Sequence, residues 1–130
     1  MKKPKITMTV IKEDKGFSAY TSIGQNFIAT EGQDIDELKK GIVDAVNLTF
    51  EDKNITYTTE EIHLKPDLAS FFEFYKVINA KALSERIGMN QSLLAQYING
   101  TKKPSASQTQ RILKGVRQVG RELVSIQFFL

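Results

Sequence analysis

At 130 residues and 41% hydrophobic, the chain can bury a core and suits one domain or two small ones, which excludes a disordered segment. There is no Cys, so disulfides and thiolate metal sites are excluded, and no apolar run reaches the roughly 20 residues that a membrane span needs. The net charge of +3 is unevenly placed: residues 1–70 hold nine Lys against twelve acids, or −3, and residues 71–130 hold nine basic residues against three acids, or +6. A basic back half suits a polyanion, and an acidic front half suits a basic protein.

The opening MKKPKITMTV is basic but continues as an alternating strand, not as a signal-peptide core, which points to a cytoplasmic protein. Over residues 5–12, Ile6, Met8 and Val10 share one face and Thr7, Thr9 and Ile11 the other, the period of a half-buried strand. Glu13-Asp14-Lys15-Gly16 is a turn, and residues 17–21 return as the second strand of a hairpin. A loop around Gly24 leads to a short third strand over residues 27–30. Asp34 then opens a helix, with Glu37 at capping-box spacing. Ile35, Leu38, Ile42, Ala45, Val46 and Thr49 form its apolar stripe, while Asp36, Lys39, Lys40 and Asp44 face water. Residues 51–59 read as a loop or frayed strand, and residues 62–64 as a short strand. The expected order over residues 1–65 is β-β-β-α-β, with the helix on one face of a small antiparallel sheet.

A second domain is expected over residues 66–130, all-α apart from a strand at its end, so the class is α+β. Asp67 caps a helix whose Leu68, Phe71, Phe72, Phe74, Tyr75 and Ile78 read as core of this domain rather than as a base-stacking platform. Residues 80–104, AKALSERIGMNQSLLAQYINGTKKP, read as a helix-turn-helix. Leu83 and Ile87 lie four apart on a first helix, Gly88 allows a positive φ at the turn, and Asn90 is a good N-cap for a second helix from Gln91. Leu94, Tyr97 and Ile98 face inward there, leaving Gln91, Ser92, Ala95, Gln96 and Asn99 outward. Gly100 ends that helix, and a basic turn follows. A plain helical hairpin is the bland alternative.

A last helix starts near Ser107 and passes through Ile112, Val116 and Val119. Its Arg111, Lys114, Arg117 and Arg121 form either a solvated charged flank or a phosphate-contacting one. Gly120 is expected to end it. Residues 123–130 alternate as a strand, expected to pair with its copy in a homodimer, or else to dock on the N-terminal sheet. Nothing assembles a catalytic site. His63 is the only histidine, and Asp14, Asp34 and Asp44 are explained by turn, cap and solvent positions. No Gly-rich phosphate loop appears, so a binding protein is expected, with no enzymatic activity, cofactor or metal.

Residues 80–104, with the Asn-Gly-x-Lys-x-Pro run over 99–104, resemble the XRE (Cro/repressor-like) helix-turn-helix family, a likeness covering about the last sixty residues. Ala80 stands where that family often has a phosphate-binding Gln. The front half, with Asp14, Gly16, Phe17, Ala19, Gly32, Asp34 and Glu37, resembles the N-terminal domain of HicB antitoxins, a reduced RNase H-like fold without its catalytic carboxylates. The run over residues 21–26 lacks the prolines, Asp and Cys usual in that family's loop.

Together these resemblances imply a type II antitoxin. Its front domain masks a HicA-like mRNA-cleaving toxin, and its back domain, as a homodimer or as a tetramer of two paired dimers, binds operator double-stranded DNA and represses its own operon. In that docking the Gln91 helix enters the major groove, with Asn90 at its cap. Gln91, able to bond adenine N6 and N7 together, is the first base reader, followed by Ser92 and Gln96. Lys81, Thr101, Lys102 and Lys103 are placed for phosphates. The main alternative is a stand-alone XRE-type repressor whose front domain senses a ligand or only oligomerises; an enzyme acting on RNA is a third class.

Overall fold

The structure, a computed structural model, describes residues 3–129. The chain forms two compact units, residues 1–74 and 75–130.

The first unit is a four-stranded sheet under a helix. Strands β1 (Ile6–Lys12), β2 (Phe17–Ile23) and β3 (Asn26–Gly32) form an antiparallel meander. Helix α1 (Ile35–Thr49) carries the chain back so that β4 (Ile62–Pro66) joins β1 in parallel, giving the order β3-β2-β1-β4. Alternation sets the buried face: Ile6, Met8 and Val10 pack with Ala19, Ile28 and Ile62 against Leu38, Ile42 and Val46 of α1. Asp34 Oδ1 accepts from the Glu37 N–H at 2.8 Å, capping α1, and the Glu37 carboxylate accepts from the Gln33 N–H at 3.1 Å, one residue before the cap.

The polar stretch after α1 is not a frayed strand but two short 3-10 turns, Glu51–Lys53 and Thr59–Glu61, around a buried Tyr57. The Asn47 side chain orders it, accepting from the Tyr57 N–H at 2.7 Å and donating to the Tyr57 carbonyl at 3.2 Å.

Helix α2 (Leu68–Phe74) belongs to this first unit, so the division falls after Phe74 instead of near Lys65. The Asp67 N–H donates to the Val10 carbonyl at 2.7 Å, the Lys12 N–H donates to Ser70 Oγ at 3.2 Å, and the Lys12 ammonium lies 3.9 Å from the centre of the Phe74 ring. Leu68 and Phe72 are buried there. Leu68, Phe71, Phe72 and Phe74, expected in the second domain's core, therefore belong to the first unit, while Tyr75 and Ile78 fall in the second.

The second unit contains α3 (Ala80–Ile87), α4 (Gln91–Ile98) and α5 (Ala106–Ser125), the last continuing into a 3-10 turn, Ile126–Phe129.

The expected layout is corrected. Among the described residues the molecule is α+β with one four-stranded sheet and five helices, and that sheet is mixed, not antiparallel. The C-terminal strand does not form: α5 runs through Gly120 to Ser125, and the dimer strand expected over residues 123–130 falls with it, Leu130 lying outside the described residues. The physical reason is that Val119, Leu123 and Ile126 also fit a helical stripe. A lone strand would leave its backbone groups unpaired, whereas helix continuation pairs them within the segment. Gly120 costs only about 1 kcal/mol against Ala in mid-helix. Among the described residues no helix is long and apolar enough to cross a membrane.

Candidate nucleic-acid interface

Three side-chain caps and one clamp fix the second unit. Asn79 Oδ1 accepts from the Ala82 N–H at 2.9 Å, Asn90 Oδ1 from the Leu93 N–H at 3.1 Å, and Ser105 Oγ from the Gln108 N–H at 3.2 Å, so each helix starts on its own polar residue. Between α3 and α4, Gly88 adopts φ 68°, the left-handed conformation that a Cβ disfavours. Met89 is buried behind it, and its N–H donates to the Ser84 carbonyl at 2.9 Å.

Arg111 supplies the clamp. Its guanidinium donates to the carbonyls of Ile87 at 2.9 Å and Gly88 at 2.7 Å, satisfying oxygens that the end of α3 leaves unpaired. Sequence reasoning placed Arg111 in a charged flank and missed this role; nothing in its spacing distinguishes it from Lys114 or Arg117. Gly115 completes the lock. A Cβ there would fall 2.3 Å from Ile87 Cγ2, so only glycine lets α5 approach α3 this closely.

On this frame α4 buries Leu94 and Tyr97 and exposes Gln91, Ser92 and Ala95, with Gln96 half-buried. Gln91 and Ser92 lie in the first turn, beside the N–H groups that a helix leaves unpaired. No hydrogen bond engages either side chain among the described residues. Asn90 sits with them, its Oδ1 engaged by the cap and its amide nitrogen without a hydrogen bond among the described residues.

Lys102 and Lys103 lie exposed beyond the other end of α4, an eight-residue helix, hence about 12 Å long at 1.5 Å per residue. Lys81 is exposed in the first turn of α3. Gln91 and Ser92 therefore lie at one end of α4 and Lys102 and Lys103 at the other, too far apart to line one pocket. Thr101 differs from expectation. Its N–H and hydroxyl both donate to Asn99 Oδ1, so its hydroxyl hydrogen is spent within the turn. Lys102 is held by its backbone, whose N–H donates to the Gln96 carbonyl at 3.1 Å.

Charge follows the structural division more sharply than the sequence halves suggested. Residues 75–130 carry nine basic and two acidic residues, +7, against nine Lys and thirteen acids, −4, in residues 1–74. Of the two acids in the second unit, Glu122 is bound by Arg86 at 2.6 Å. That pairing holds the Glu122 carboxyl below its ordinary range, helped by Gln118, and raises Arg86. Glu85 is the unit's one other acidic residue.

Among the described residues no group of three or more His, Asp or Glu could hold a metal ion. No protein-family model, curated protein or solved structure matches the chain.

Proposed function

We propose that this protein is an operator-binding repressor whose front unit masks a small basic partner, the arrangement of a HicB-like antitoxin. Two copies bind duplex DNA with α4 in the major groove. The observation that carries this reading is the exposed first turn of α4: Gln91 and Ser92 stand free on a rigidly capped, clamped frame in a unit of charge +7. Gln matches adenine in the major groove, and the lysines at the helix's far end match phosphates, which set affinity and salt dependence without reading sequence. The opposite charge of residues 1–74 supports a basic protein partner for that unit.

The test is binding of the purified protein to DNA from its own promoter and to random duplex, at two salt concentrations. Gln91→Ala is expected to weaken promoter binding by ~1–3 kcal/mol while leaving random-duplex binding nearly unchanged. Equal loss on both would remove Gln91 as a base reader, and no DNA binding at all would remove the repressor. Recovery of the tagged protein from its cells without a small basic partner would leave a stand-alone repressor.

A further inference from the structure

One edge of the sheet is open at β4, which among the described residues pairs only with β1. The Asp67 N–H donates to the Val10 carbonyl, so in the parallel ladder His63, Lys65 and Asp67 turn their backbone groups to β1. Ile62, Leu64 and Pro66 therefore turn theirs outward. The Ile62 N–H is taken by the Thr59 carbonyl, and proline has none to give. The edge thus offers the Leu64 N–H as donor and the carbonyls of Ile62, Leu64 and Pro66 as acceptors.

A pocket lies beside this edge, on the face that α1 covers. Ile42 and Val43 of α1 and Ile62 and Leu64 of β4 line it, with the exposed Lys39 and Glu60 at its rim. Its volume is about 280 Å³, below the roughly 300–1,000 Å³ of small-molecule sites. A strand laid along β4 alternates its side chains between the two faces of the sheet, so every second one falls over this pocket. The others fall beside His63 and Lys65, which are exposed on the opposite face. The edge therefore calls for main-chain partners, the pocket for aliphatic side chains, and the Lys65 ammonium for a carboxylate or hydroxyl.

We propose that β4 is a strand-addition site whose occupant is an extended segment of a partner protein, antiparallel to β4, with aliphatic side chains toward α1 and acidic or hydroxyl side chains beside Lys65. Antiparallel pairing is the more stable per residue, and it lets one residue of the segment exchange both hydrogen bonds with Leu64. The site rests on the masking role of the front unit only for the partner's identity, and the preference of one strand is independent of that partner's net charge. The test contains neither DNA nor the native partner, so the two fail separately.

NMR of the full chain, titrated with a short peptide of alternating valine and glutamate, reads the site. Binding is expected to slow exchange of the Leu64 amide and to shift the methyl signals of Val43, Ile62 and Leu64. N-methylation of the valine amides, which an antiparallel strand turns to β4, should weaken binding about tenfold or more. N-methylation of the glutamate amides, which it turns away, should not. Lys65→Glu, at an exposed residue, should reverse the preference, so that alternating valine and lysine binds better than valine and glutamate. Phe27→Ala on β3, at the other edge and 67% exposed, should change nothing. The amide spectrum confirms that each variant keeps its sheet. A Leu64 amide indifferent to the peptide, equal loss from both methylations, an unchanged preference in Lys65→Glu, or lost binding in Phe27→Ala would each overturn the site. So would a Leu64 amide already slowed in concentrated protein without peptide, which would give the edge to a second copy.

Discussion

The two units bury their cores by different means. In residues 1–74 one continuous cluster joins β1, β2, β3, β4 and α1, and its centre, Ile6, Met8, Leu38 and Val46, is wholly buried. In residues 75–130 the core is thinner, built around Leu83, Met89, Leu94, Tyr97 and Ile112, and it also encloses Ser84 and Thr109. The helical unit depends correspondingly more on polar fixtures: three caps, the Arg111 clamp and the glycine contact of α5 on α3. A sheet with a covering helix is specified by hydrophobic pattern. A small helical unit with a thin apolar core is specified by its joints.

Cavity formation should separate the units most strongly. Leu38→Ala removes a fully buried side chain from the sheet cluster and should cost about 3 kcal/mol, within the usual range for such truncations. Amide hydrogen exchange on the full chain should then show lost protection in β1–β4 and α1, with α3–α5 unchanged. Equal loss in both units would mean that they unfold as one.

Overpacking is the matching challenge to the helical unit. Gly115→Ala gains helix propensity of about 1 kcal/mol. It also drives a methyl to within 2.3 Å of Ile87 Cγ2. The clash should dominate, for a net loss of about 1–2 kcal/mol seen in thermal melts and in exchange of α3 and α5. A stabilised variant would show that α5 can slide on α3 at no cost.

The same contrast explains what the sequence revealed. Period-two alternation in β1 and the Asp34–Glu37 cap of α1 were readable because each is a local pattern with one physical solution. The Gly88 turn and the exposed edge of α4 were readable for the same reason. What was missed is non-local. Parallel pairing of β4 with β1, docking of α2 through Asp67 on Val10, and Arg111 on the end of α3 join residues far apart in the chain. The tail was misread because Leu123, Val124, Ile126 and Phe128 satisfy the strand period while Val119, Leu123 and Ile126 satisfy the helical one, and propensity alone does not choose between them. Local backbone satisfaction chose helix.

Thr109 tests whether the polar content of the helical core is needed. Its Oγ1 is buried without a hydrogen-bond partner, and an unpaired hydroxyl in such a place costs about 1–3 kcal/mol. Thr109→Val keeps the branched shape and should raise stability by ~1 kcal/mol. Destabilisation would mean that a bound water satisfies the hydroxyl, bringing this core closer to the fixtures around it.

The smallest expected effect is the response to acid, where the units should behave alike. Glu61 in the first unit and Glu122 in the second are both held below their ordinary value of 4.5, Glu61 chiefly by the Lys3 ammonium and Glu122 chiefly by the Arg86 guanidinium. A carboxylate whose folded pKa is depressed contributes stability above the ordinary carboxylate range, and that contribution is lost as pH falls through the folded pKa. Both pairs are exposed and screened by solvent, so each loss is small. Carbon-detected NMR titration should place both carboxyl midpoints below 4.5. Glu122→Gln should flatten the acid dependence of exchange in α3 and α5 without touching β1–β4. If it instead loosened α3 and α5 at neutral pH as much as Gly115→Ala does, the ion pair would rank with the glycine contact among the joints on which the helical unit depends.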